Sequence, residues 1–140
     1  MRFMMIVKSS KDCEGGKLPS EELLAAMGEY NKDLMQAGVL VDLSGLQPTA
    51  KGARVKFSGG KTTVIDGPFA ETKELIGGYW IIDVKSKAEA IEWAKRIPVQ
   101  PSAEEREIEV RQFYEFTDFL PGKAVQEARE LEKQLVESRR

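Results

Sequence analysis

The chain has 140 residues, 41% apolar and 31% charged, which supplies enough apolar surface for one packed core and too little length for two. Its 21 basic residues are scattered among 23 acidic ones for a formal charge of −2, a balance that argues against nucleic acid as a partner. Histidine is absent and Cys13 is the only cysteine, which excludes Ser-His-Asp and Cys-His catalysis, histidine metal sites, internal disulfides and cysteine zinc cages.

Arg2 to Lys8 is an apolar run without helical spacing, as expected of a strand buried on both faces. Its apolar part, Phe3 to Val7, is too short for a signal-peptide core or a bilayer span, so the expectation is a cytoplasmic protein with no membrane partner. A polar loop follows. Ser20 then caps a helix from near Glu21, with Leu23, Met27, Tyr30 and Leu34 on one face and Gly38 ending it. Val39 to Leu46 reads as a loose strand.

Ala53–Phe57 and Lys61–Ile65 alternate and are joined by Ser58-Gly59-Gly60, a hairpin signature. Asp66-Gly67-Pro68-Phe69 stops its second strand. Gly78 to Val84 is a central strand by composition, and Ser86 with Glu89 opens a helix whose face is Ala90, Ile91, Ala94 and Ile97, closed by Pro98. Glu107 to Phe113 is a strand near the sheet edge. From Pro121 onward, Ala124, Ala128, Leu131 and Leu135 mark an amphipathic helix.

The order β-α-β-β-β-β-α-β-α predicts an α+β fold with both crossover helices on one face of an antiparallel sheet. Phe3, Met5 and Val7 alternate with Met4 and Ile6, so the second face also carries apolar side chains. A symmetric partner is the economical cover, which makes a homodimer the expected assembly.

Val64-Ile65-Asp66-Gly67-Pro68-Phe69-Ala70-Glu71-Thr72-Lys73-Glu74, followed by Gly77-Gly78-Tyr79-Trp80-Ile81-Ile82, resembles the DGPF branch of the YCII-related proteins. The resemblance takes in Met1-Arg2-Phe3-Met4, Gly38-Val39-Leu40 through Leu46-Gln47-Pro48, and Ala90-Ile91-Glu92-Trp93-Ala94 with Ile97-Pro98. It implies a ferredoxin-like unit over residues 1–113 that pairs into a dimeric α/β barrel, with a pocket between sheet and helices, and leaves 114–140 as a helical extension. It also implies an unsettled activity, with many members resembling companions of alternative sigma factors. Better-known relatives look as though they pair a histidine with an aspartate, and only Asp66 can be carried over here.

Asp66 is the residue singled out for chemistry. As a catalytic group it would move a proton on a small substrate beside Phe69, Tyr79 and Trp80; as a turn residue it would bond backbone N–H groups one or two residues on. Tyr30, Phe69, Tyr79 and Trp80 are the candidate pocket walls, with plain core as their alternative. Glu71, Lys73 and Glu74 read as a solvated surface, Cys13 receives no role, and Ser58-Gly59-Gly60-Lys61 lacks the phosphate-loop pattern. No metal site or cofactor is expected. Two functional readings follow: a dimeric module binding a small molecule or a partner in a regulatory setting, and a cofactor-free enzyme using Asp66 as general acid or base on a small carbonyl or lactone compound.

Overall fold

Apolar residues at every position from Phe3 to Val7 need neighbours along both strand edges and cover on both faces. In the computed structural model, which describes residues 1–100 and 105–139, the elements are β1 (Arg2–Lys8), α1 (Lys11–Glu14), α2 (Glu21–Gln36), β2 (Leu40–Gly45), β3 (Ala53–Ser58), β4 (Lys61–Asp66), β5 (Ile76–Asp83), α3 (Lys87–Lys95), β6 (Ile108–Gln112) and α4 (Lys123–Ser138). Short 3₁₀ turns lie at Thr49–Lys51, Thr72–Glu74 and Phe116–Asp118. Of the expected core and extension, residues 101–104 and Arg140 lie outside the described residues.

The main sheet is antiparallel throughout, ordered β2-β5-β1-β6. This α+β arrangement is the expected ferredoxin-like order, with α2 and α3 as the two crossovers. Strand β1 pairs Phe3 with Ile82 and Met5 with Trp80 on one side, and Met5 with Val110 on the other. Phe3, Met5, Trp80, Ile82 and Val84 pack against Tyr30 and Leu34 of α2, and against Ala90 and Ile97 on the α3 side. Burying this set drives folding, each large side chain contributing about 1.5–3 kcal/mol.

Local signals fix the helix ends. The Ser20 hydroxyl accepts from the Leu23 amide at 3.1 Å, and Gly38 takes the left-handed φ of +72° that releases the chain toward β2. In front of α3, the Ser86 hydroxyl accepts from Glu89 N at 3.1 Å while the Glu89 carboxylate accepts from Lys85 N at 3.0 Å. Two expectations are corrected. Residues 11–14 form a single helical turn where a polar loop was expected, because buried Ser10 accepts from the Cys13 amide and caps it. On α3, Ile91 is exposed and Trp93 packs against the core in its place.

The helices meet over the sheet through polar contacts as well. The Tyr30 hydroxyl donates to the Trp93 carbonyl at 2.8 Å, and Asp33 pairs with Arg96 at 2.7 Å. Met4, Ile6, Tyr79 and Ile81 alternate with the core residues and occupy the opposite face; Ile6 is buried and the other three are half-buried. Lys8, Glu109 and Arg111 form an ion-paired edge to that face. Helix α4 contributes no buried residue.

Candidate functional site

The hairpin β3–β4 pairs Ala53 with Asp66 through Ser58 with Lys61, and its tight turn uses Gly59 and Gly60 at φ +57° and +76°. At its base the chain leaves β4 through Asp66-Gly67-Pro68-Phe69, with a cis peptide between Gly67 and Pro68. Proline has no N–H, so this turn has two amides to satisfy after Asp66. Gly67 N donates to the Gly52 carbonyl at 3.0 Å, and Phe69 N donates to the Thr49 hydroxyl oxygen at 3.0 Å. Thr49 in turn donates its own amide to the Glu14 carboxylate at 2.9 Å and its hydroxyl to the other carboxylate oxygen.

Glycine at 67 is required by this docking. A Cβ there would lie 1.8 Å from the Thr49 carbonyl oxygen, a backbone atom that cannot swing aside. The Arg54 guanidinium sits 3.8 Å above the Phe69 ring, tying the first hairpin strand to the end of the turn by a cation–π contact.

Asp66 itself is exposed, and among the described residues its carboxylate has no hydrogen-bond or ion-pair partner. The turn-fixing role expected of that side chain belongs to Thr49 and Gly52. Among the aromatics, Tyr30 and Trp80 are brought together in the core, edge to face with centroids 5.4 Å apart. The Trp80 indole donates to Asn31 Oδ1 at 2.7 Å. Tyr79 lies on the opposite sheet face, and Phe69 stacks under Arg54.

Burial pushes the Tyr30 phenol well above its usual range, with the Arg96 cation offsetting part of the rise. The Glu109 carboxyl is held below the usual carboxylate range, first by its hydrogen bond with Arg111 and then by Lys8. Among the described residues no three Asp, Glu or Cys side chains converge in a way that would hold a metal ion, so Asp66, Glu71 and Glu74 form no such cluster.

Two clefts stand out. One, beside Lys8, Lys73 and Arg106, holds about 30 Å³, room for about one water. The other is an open groove of about 500 Å³ between Phe116 and Arg129, Lys133 and Val136 of α4. Asp66 lines neither. No described helix is long and apolar enough to cross a membrane.

Glu14 and Thr49 are the residues that sequence reasoning missed. Pro48-Thr49 reads as a strand break, and nothing in the pattern couples it to a glutamate 35 positions earlier. Over 79 residues the chain is 37% identical to an uncharacterized protein of Rhizobium meliloti (strain 1021), an alignment spanning 56% of this chain and 64% of that protein. The chain thus covers less than two thirds of that relative's length. The YCII-related domain matches residues 1–117, which takes in both crossover units and the hairpin between them. On that match, the chain belongs to the YCII-related domain family.

Proposed function

We propose that the chain is a DGPF-type member of this family that works as a cytoplasmic homodimeric binding module, taking a small molecule or a regulatory partner, with alternative sigma-factor pathways as the setting the DGPF resemblance suggests. The observation that carries this reading is the second sheet face. Met4, Ile6, Tyr79 and Ile81 gather there on the side opposite the helix-packed core, edged by the Lys8–Glu109–Arg111 ion pairs. An apolar centre with a charged rim is the pattern of a pairing surface, and two such sheets face to face form a dimeric barrel.

Binding is favoured over acid–base catalysis by the position of Asp66. It lies outside both clefts, and among the described residues no second titratable side chain pairs with it. Sedimentation equilibrium at micromolar concentration is the test: the expected species has twice the chain mass, and Ile81→Lys shifts it to the single mass. A parent that sediments as one chain throughout that range overturns the reading.

A further inference from the structure

The second sheet face carries a charge pattern that runs across its strands. The ladders line up Asp42, Ile81, Met4 and Arg111 as one row, and Ser44, Tyr79, Ile6 and Glu109 as the next. The first row therefore passes from a carboxylate on edge strand β2, over two apolar side chains, to a guanidinium on edge strand β6. A bulge sets that order. The β2–β5 register shifts between Leu40 and Asp42, with Leu40 opposite Ile82 and Asp42 opposite Ile81. Without the extra residue, Val41, Asp42 would fall opposite Trp80 and on the helix side of the sheet.

Neither charge is fully engaged within its own chain. Among the described residues the Asp42 carboxylate accepts from the next amide, Leu43 N, at 2.8 Å and meets no cation. Arg111 donates from Nη1 to Glu109 at 3.2 Å yet stays 71% exposed, and its guanidinium has further N–H groups to offer. Glu109 is held by Lys8 as well, at 3.3 Å.

Charge and symmetry together indicate how a second copy fits. Sheets that pack face to face in the aligned manner keep their strands within about 30° of each other. A two-fold axis lying between the sheets and along the strands lays each row over its own reverse. Ile81 then meets Met4, Tyr79 meets Ile6, and the acidic end of each row meets the basic end of the other. An axis across the strands instead sets β2 on β2 and β6 on β6. Arg111 there meets Glu109, but Asp42 meets Ser44, which leaves both Asp42 carboxylates without a cation. The first alignment gives both ends of the row a partner of opposite charge.

We infer that two copies join with the two-fold axis along the strands, Asp42 of each copy pairing with Arg111 of the other at the two margins of the interface. The inference rests on the homodimer reading and deepens it by fixing the register and naming the ion pairs that select it.

The experiment uses the full chain and two single variants, Asp42→Arg and Arg111→Glu, alone and mixed, with sedimentation equilibrium giving each Kd. Alone, each variant sets like charges together at both margins. Mixed, one variant supplies both cations and the other both anions. The expected result is a Kd raised at least ~10-fold for each variant alone, and a heterodimer of the two with a Kd within ~3-fold of the parent's. Parental Kd values for both variants, or a mixture no tighter than either variant alone, overturn the alignment while the dimer reading stands. Weakening confined to one variant overturns it too, since that is the signature of the axis across the strands. A monomeric parent overturns both readings. Should either variant lose the parental circular dichroism, Asp42→Cys and Arg111→Cys in a Cys13→Ser chain decide. A short bismaleimide that joins two chains in the mixture and in neither variant alone supports the alignment, and any other pattern overturns it.

Discussion

The Phe69 amide donates to the Thr49 hydroxyl at 3.0 Å, so a residue on the loop before the hairpin supplies the acceptor for the turn after it. The same hydroxyl passes its own proton toward Glu14, and the Thr49 amide follows it. One side chain therefore ties together α1, the 3₁₀ turn at Thr49–Lys51 and the Asp-Gly-Pro-Phe segment.

Replacing that side chain should show its weight. Thr49→Val keeps the shape but strands the Phe69 amide and a carboxylate oxygen of Glu14, at an expected cost of about 1–3 kcal/mol. Thr49→Ser keeps the hydroxyl and should stay within about 1 kcal/mol of the parent. Asp66→Ala, whose carboxylate holds none of these amides, should fall within about 0.5 kcal/mol. Urea midpoints measure all three; a costly Asp66→Ala beside a neutral Thr49→Val would reverse the assignment.

Two glycines should respond to alanine in opposite directions. Gly67→Ala drives a Cβ to 1.8 Å from the Thr49 carbonyl oxygen, so the turn must undock, costing about 3 kcal/mol or more. Gly28 lies inside α2, where an added Cβ meets nothing within 4 Å. Gly28→Ala should therefore raise stability by about 0.4–1 kcal/mol. Equal effects in thermal melts would contradict the packing described at the turn.

Asn31 should matter through Trp80. Asn31→Leu leaves the buried indole N–H without its acceptor, and about 1–3 kcal/mol should be lost. In a Trp80→Phe background there is no N–H to strand, and the same change should cost less by about 1 kcal/mol. Additive losses in that double-mutant cycle would mean the bond contributes nothing.

Tyr30 sets an alkaline limit. Its folded phenol titrates above the unfolded value of ~10 because burial opposes the anion, with Arg96 only partly compensating. The stability it contributes is complete below pH ~10 and declines as pH rises beyond that, since the unfolded chain releases its proton first. Tyr30→Phe should cost about 1 kcal/mol at neutral pH, from the lost bond to the Trp93 carbonyl, and should lose stability less steeply above pH 10. Parallel stability curves for parent and variant would rule this out.

Much of the fold was legible because its signals are local. Ser20, Gly38 and Gly59-Gly60 announce helix and turn ends at their own positions, and the alternation of β1 separates Phe3 and Met5 from Met4 and Ile6 without reference to any other segment. The error on α3 was one of phase: Ala90, Trp93, Ala94 and Ile97 form the i, i+3, i+4, i+7 stripe, and Ile91 falls outside it. The candidate site was less legible. A short-range bond from Asp66 was the reasonable expectation for a residue before glycine, yet the acceptor came from Thr49, a contact that exists only once the chain has folded back. Tyr79 and Trp80 are adjacent in sequence, and the strand's own pleat sends them to opposite sides.

Leu46 N donates to the Gly77 carbonyl at 2.9 Å, closing the β2–β5 ladder where residues 47–75 depart and return. Seen from the sheet, the whole hairpin, its docked base and the Asp-Gly-Pro-Phe turn form a cassette plugged into one socket. Loop-closure entropy rises only about 0.6 kcal/mol for each doubling of length, so the length of the hairpin beyond its docked base weighs little on the sheet. The hairpin strands can therefore be lengthened or shortened while β2-β5-β1-β6 keeps its register, whereas the base cannot be cut away without loss, since Thr49 holds Glu14 and the carbonyl of buried Leu75 accepts from Ser9 N at 2.8 Å.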